Sequence, residues 1–108
     1  MPSALITGAG RGIGLATARA FLGAGWRVVS LDKLFGTEVV GERVDFDLRR
    51  RDEIPDLVAV LGEIDTLVNN AGVLYCEPYD AIPEDHRREI LAVNLEAPAA
   101  LIAALAPQ

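Results

Sequence analysis

The residues in this chain best suited to chemistry are closely spaced glycines. Thr7-Gly8-Ala9-Gly10-Arg11-Gly12-Ile13-Gly14 follows the short apolar segment Ala4-Leu5-Ile6 and opens into a helical pattern at Ile13. Glycine has no Cβ, so a backbone built from it can approach a ligand closely. The free N–H groups at the start of the next helix favour an anion, and a dinucleotide pyrophosphate is the obvious candidate. Two better-known loops are excluded by spacing. The nucleoside-triphosphate loop needs a Gly-Lys pair, and the chain has none. The G-x-G-x-x-G fingerprint fails because its third glycine falls on Ile13 or Leu15. What fits is Gly8-x-x-x-Gly12-x-Gly14 preceded by Thr7. On the loop alone, a glycine-rich turn with no ligand remains an open alternative.

Two further positions bear on that choice. Asp32 ends an apolar segment eighteen residues beyond Gly14. A carboxylate there can accept hydrogen bonds from both adenosine ribose hydroxyls while repelling a 2′-phosphate. Taken alone, Asp32 reads better as a strand-end turn residue; its spacing from the loop is what gives it weight. Asn69-Asn70-Ala71-Gly72 follows another apolar segment. The pair of amides can tie adjacent strand ends, and the glycine gives a ribose close access to the backbone. The same four residues also suit a plain turn.

The elements that must position these groups alternate. Residues 4–7, 27–31, 43–46 and 66–69 read as strands, the last as a near-continuous apolar run of the kind covered on both faces. A helix begins at Ile13 with apolar residues at three-to-four spacing and ends at Gly23 and Gly25. Ile54, Leu57, Val58 and Leu61 mark a second helix, and a third runs from Pro83 to Leu105. Strand–helix alternation implies a parallel sheet with right-handed crossovers. The link between Asp32 and Arg43 is near the lower limit for a crossover, so its helix is predicted to be one turn or missing.

Composition narrows the class. The 108 residues suit one domain, half apolar and a quarter charged. A formal charge of −6 argues against nucleic acid, and Arg49-Arg50-Arg51 lies among acidic neighbours as a solvated helix start. Cys76 is the one cysteine and reads as a plain loop thiol. His86, between Glu84 and Glu89, reads as a solvated surface histidine. With no room for a signal peptide and apolar runs too short to span a membrane, a cytoplasmic protein is expected.

Thr7-Gly8…Gly12-Ile13-Gly14, Asp47-Leu48, Asn69-Asn70-Ala71-Gly72 and Val93-Asn94-Leu95 occur in that order, and on them the chain resembles the short-chain dehydrogenase/reductase family over essentially its whole length. The resemblance implies a Rossmann-like three-layer α/β fold, here its first four strands in the order 3-2-1-4. It implies that Gly8, Arg11, Gly12, Ile13 and Gly14 hold a pyrophosphate, that Asp47 and Leu48 frame the adenine, and that Asn70, Ala71 and Gly72 border the ribose. Asn69 matches a position that stabilises the sheet, and Asn94 one that holds a water in the proton relay. The activity implied is hydride transfer between NAD(P) and an alcohol or carbonyl substrate, in a protein that assembles as a dimer or tetramer. Asp32 favours NAD(H); Arg11 and Lys33 pull toward NADP(H), which stays open. The resemblance is incomplete in one respect. The family's chemistry uses a serine, a tyrosine and a lysine with Tyr-x-x-x-Lys on one helix, and neither Tyr75 nor Tyr79 has a lysine four residues on. Residues 1–108 therefore read as the cofactor-binding part of a longer enzyme, truncated before its catalytic segment. A non-catalytic dinucleotide-binding or sensor module is the alternative, and a domain kept only for interaction is a weaker one. The first reading predicts no hydride transfer above background when this chain alone is assayed with NAD(P)(H) and simple alcohols or ketones; measurable turnover contradicts it.

Overall fold

The computed structural model describes residues 1–107. Four parallel strands, β1 (Ser3–Thr7), β2 (Arg27–Asp32), β3 (Glu42–Asp45) and β4 (Thr66–Val68), form one sheet in the order β3-β2-β1-β4. Helix α1 (Gly12–Gly23) follows β1, and α2 (Ile54–Leu61) precedes β4. After β4 come α3 (Glu84–Leu91), a π-helical turn (Ala92–Glu96) and α4 (Ala97–Leu105).

The pleat sends alternate residues of the central strands to two cores. Leu5, Val29 and Leu31 face α2 and α4, where they pack with Ile54, Val58, Ala97 and Leu101. Ala4, Ile6 and Val28 face the other way, onto Ala18 of α1 with Phe21 and Trp26 at its end. β1 is buried along its whole length, because both its neighbours and both layers cover it. β4 is covered on both faces as expected, with Leu67 packed on one core and Val68 on the other. It pairs only with β1, stands at a sheet edge, and its three residues are half-buried.

No helix forms between β2 and β3. The link is too short to build one, and Val40 takes its place in the core below α1. The buried Ser30 hydroxyl donates to the Val40 carbonyl at 2.6 Å, fastening the extended link to the sheet. Gly41 then turns with φ +72° against the backbone of Val28, where a Cβ would overlap the Val28 carbonyl.

The single helix expected from Pro83 to Leu105 is interrupted by the π turn. Pro98 has no N–H to give the Asn94 carbonyl, and its ring would clash with that carbonyl in a regular α-helix. The chain widens instead, and the Ala97 N–H bonds back to the Ala92 carbonyl. Asn94 thus sits on a bulge rather than on a regular helix face.

The irregular segment between β4 and α3 folds back onto α3. The rings of Tyr75 and His86 stack at 3.8 Å with planes 7° apart, and His86 Nδ1 pairs with the Glu77 carboxylate. His86, expected to be solvated, has a side chain only 32% exposed. The hydrogen bond to Glu77, helped by the charges of Glu77, Asp85 and Glu89, raises the His86 pKa above its ordinary 6.5 against the lowering effect of burial. The stabilisation from this pair is therefore complete below the unfolded-state pKa and is lost as pH rises through the higher folded-state value. Because His86 is the one histidine in the chain, its imidazole signals can be followed by NMR without ambiguity. The titration midpoint should lie above 6.5 and fall toward it in Glu77→Gln; a midpoint at or below 6.5 contradicts the pairing.

Candidate functional site

A cleft of about 570 Å³ opens at the carboxyl ends of β1, β2 and β4. In an open parallel sheet this is where ligands bind, beside the point at which strand order reverses. β1 leads into the glycine loop on one side, and β4 leads into Asn70-Ala71-Gly72 on the other. Gly8, Arg11, Gly12, Ile13, Asp32, Asp47, Leu48, Asn70, Ala71 and Gly72 all line the cleft. Of the residues singled out from sequence, Thr7, Gly14, Asn69 and Asn94 do not.

Gly14 lies beneath the loop. A Cβ there would overlap the Gly8 carbonyl oxygen and crowd the Asn70 amide, so only glycine lets α1 start this close to β1. Gly8 (φ +67°) is similarly confined, since a Cβ would come within 2.9 Å of the Ala71 Cα. Helix α1 begins with no side-chain cap and no acidic residue in its first turn. Its first N–H groups are thus available at the cleft, with the positive end of the helix dipole behind them.

The two strand ends are joined by a residue that sequence reasoning treated only as the loop's preface. Thr7 is 1% exposed, and its hydroxyl accepts the Asn70 N–H at 3.1 Å and the Ala71 N–H at 3.0 Å. The Asn70 amide in return donates to the carbonyls of Thr7 at 3.2 Å and Gly8 at 3.3 Å. The available signal was a hydroxyl residue at the end of an otherwise apolar strand. Asn69, matched to a sheet-stabilising position, is instead exposed, and the bonds that tie β4 to β1 here are made by Asn70 and Thr7.

Asp32 serves as the strand-end turn residue considered for it and makes one further bond. Oδ1 accepts the Lys33 N–H at 2.8 Å, a strand-end turn, while Oδ2 accepts the Gly10 N–H at 2.9 Å and so holds the glycine loop. Oδ1 also accepts the Leu34 N–H at 3.4 Å, so the unused acceptor capacity lies on Oδ2. Asp47 is similarly half-committed. Its carboxylate accepts the Arg49 N–H at 3.0 Å and pairs with the Arg49 guanidinium at 2.6 Å, which holds its pKa below the usual carboxylate value.

Tyr75, Glu89 and Lys33 complete the wall, and the first two were missed from sequence. The Tyr75 hydroxyl donates to the Glu89 carboxylate, and this bond, with burial and the Glu89 charge, raises the tyrosine pKa. Lys33 Nζ stands 3.7 Å from the same carboxylate. Glu89 was discoverable by its position one helical turn before Val93, which also lines the cleft. The guanidinium of Arg11 has no partner among the described residues.

Asn94 does not itself line the cleft; its side chain is taken up by Val73, which does. Its Oδ1 accepts the Val73 N–H at 2.8 Å and its Nδ2 donates to the Val73 carbonyl at 2.9 Å. This two-way bond pins the segment after Gly72 to the π turn. Among the described residues there is no group of three or more His, Cys, Asp or Glu able to hold a metal ion. No helix among them is long and apolar enough to cross a membrane.

Known proteins share this arrangement. Residues 2–108 match the family described as short chain dehydrogenase. The chain is 33% identical over 106 residues to 2-dehydro-3-deoxy-D-gluconate 5-dehydrogenase of Bacillus subtilis, covering 86% of this chain and 42% of that protein. It is 35% identical over 101 residues to L-xylulose reductase of Bos taurus, covering 87% of this chain and 41% of the relative. Among solved structures, 4-hydroxyisoleucine dehydrogenase complexed with NADH superposes with a TM-score of 0.92 at 29% identity, over 99% of this chain and 49% of that one. A metagenomic short-chain oxidoreductase in complex with NADP superposes with a TM-score of 0.86 at 32% identity, over 98% and 55%. The chain thus spans less than half the length of the curated relatives it matches. With a match from Pro2 to the last residue and the parallel β3-β2-β1-β4 sheet, the chain belongs to the short-chain dehydrogenase family.

Proposed function

We propose that this chain forms the cofactor-binding part of an oxidoreductase that moves a hydride between a nicotinamide dinucleotide, NAD(H) in preference to NADP(H), and an alcohol or carbonyl substrate. The observation that carries the reading is the uncapped start of α1 above a glycine loop whose Gly8 and Gly14 leave no room for a side chain. Such a cradle fits a diphosphate. Its donors are backbone N–H groups, and the free Arg11 guanidinium stands at its rim. Asp32 would take the adenosine ribose hydroxyls chiefly on Oδ2, which accepts only the Gly10 N–H, and Leu48 and Val93 would supply apolar walls for the adenine. Asn70, Ala71 and Gly72 would border the second ribose, with Asn70 held in place by Thr7.

When bound, the nicotinamide supplies the hydride chemistry. What this chain adds is orientation and exclusion of water from one side of the cleft. Asn94 is proposed as the relay position of the whole enzyme, acting from the π turn where Pro98 leaves its carbonyl without the regular helical donor. Support for the cofactor class comes from the relatives, which include proteins solved with NADH and with NADP. The preference for NAD(H) rests on Asp32, since a 2′-phosphate would meet its carboxylate at short range.

Titrating the chain with NADH and NADPH tests the reading. NADH should bind more tightly. Asp32→Ala should weaken NADH by about tenfold or more, the loss of charge-assisted hydrogen bonds to the ribose, and should narrow the gap between the two nucleotides. Tighter binding of NADPH by the parent chain overturns the preference.

A further inference from the structure

Glu89 lies on the helical wall of the cleft, opposite the end of β2, and its side chain is only 14% exposed. A carboxylate so far withdrawn from water requires charged or hydrogen-bonding partners. It has three. Lys33 Nζ lies at 3.7 Å, Arg49 Nη1 at 4.0 Å, and the Tyr75 hydroxyl donates to its other oxygen. Lys33 is the one lysine of the chain and directly follows Asp32. Arg49 is further committed to Asp47. Glu89 therefore draws together both cations on the Asp32 side of the cleft.

We infer that Glu89 is a specificity-determining residue: by holding Lys33 across the cleft it withholds that ammonium from an adenosine 2′-phosphate and so favours the dinucleotide that lacks one. The inference rests on the proposed dinucleotide site and adds to it a second device besides Asp32. Asp32 disfavours the phosphate by direct repulsion. Glu89 disfavours it by competition, because a phosphate that recruits Lys33 leaves the withdrawn carboxylate with one cation fewer. Arg11 stands on the glycine loop and is unaffected by Glu89, so it contributes equally whichever residue occupies position 89.

The test is a comparison of NADH and NADPH dissociation constants for the full chain, Glu89→Gln, Lys33→Ala and the double variant. Glutamine keeps a hydrogen-bond acceptor for Tyr75 but releases the ammonium. The ratio of the two constants should move toward NADPH by about tenfold in Glu89→Gln. That gain should shrink as salt is raised, since it comes from the exposed Lys33 ammonium meeting a phosphate. Lys33→Ala alone should leave the ratio close to that of the parent, because the lysine is already engaged, whereas the double variant should lose the gain. Glu89→Asp, which keeps the charge but draws it back by one methylene, is the second variant should glutamine impair folding, and it should shift the ratio in the same direction by less. An unmoved ratio in a parent and variant that both bind NADH overturns this inference alone. A gain that survives in the double variant overturns it too, because the lysine is then not its source. Failure of the parent to bind either nucleotide overturns the proposed site and this inference with it.

Discussion

The cleft depends on the hydroxyl of one buried threonine. Thr7 ends the central strand, and its oxygen accepts two consecutive backbone N–H groups from the segment after β4. The Asn70 N–H also meets the Val68 carbonyl at 3.1 Å, whereas among the described residues the Ala71 N–H bonds to the hydroxyl alone. Without the hydroxyl the Ala71 N–H would be left unpaired, at a cost of about 1–3 kcal/mol. The Asn70 amide returns the contact by bonding to the Thr7 and Gly8 carbonyls. The result is a rigid floor, and the rest of the site is built to its dimensions. Gly8 and Gly14 must be glycines because they pack directly on it.

The polar groups around that floor carry structural duties first. Asp32 shapes the turn after β2 and restrains Gly10, yet keeps acceptor capacity toward the cleft. Asn94 is committed through its side chain to the backbone of Val73, so any proton-relay role would fall to its main chain. Charge is balanced as closely as hydrogen bonding. Lys33 and Arg49 converge on Glu89, Arg49 also satisfies Asp47, and Arg11, a cation lining the cleft, has no partner among the described residues.

Sequence patterns made much of this legible. Glycine spacing located the loop, and apolar alternation located the four strands to within a residue or two of their ends. The parallel sheet and its order followed from the family resemblance. What escaped was contact information. The role of Thr7 depends on a partner some sixty residues away, as does the exchange of Asn69 for Asn70 as the tie between strands. The π turn was hidden because Pro98 falls within a strongly apolar helical run, where periodicity outweighs the missing donor. Tyr75 lies in a stretch with no strong motif, and only the fold brings it to the cleft, whereas Glu89 carried a signal in its spacing from Val93. His86 read as solvated because local charge says nothing about a ring stacked upon it.

The central claim is that the glycine loop and the clamped turn beside it receive a dinucleotide. The most direct measurement is a ¹H–¹⁵N NMR titration of the chain with NADH, read residue by residue. The account predicts that the largest shifts fall on the amides from Gly10 to Gly14, on Asp32 and Lys33, and on Asn70 to Gly72, while the amides of α2 stay nearly still. Saturating NADH that leaves the loop amides unmoved, or perturbs a surface remote from the cleft, would contradict it.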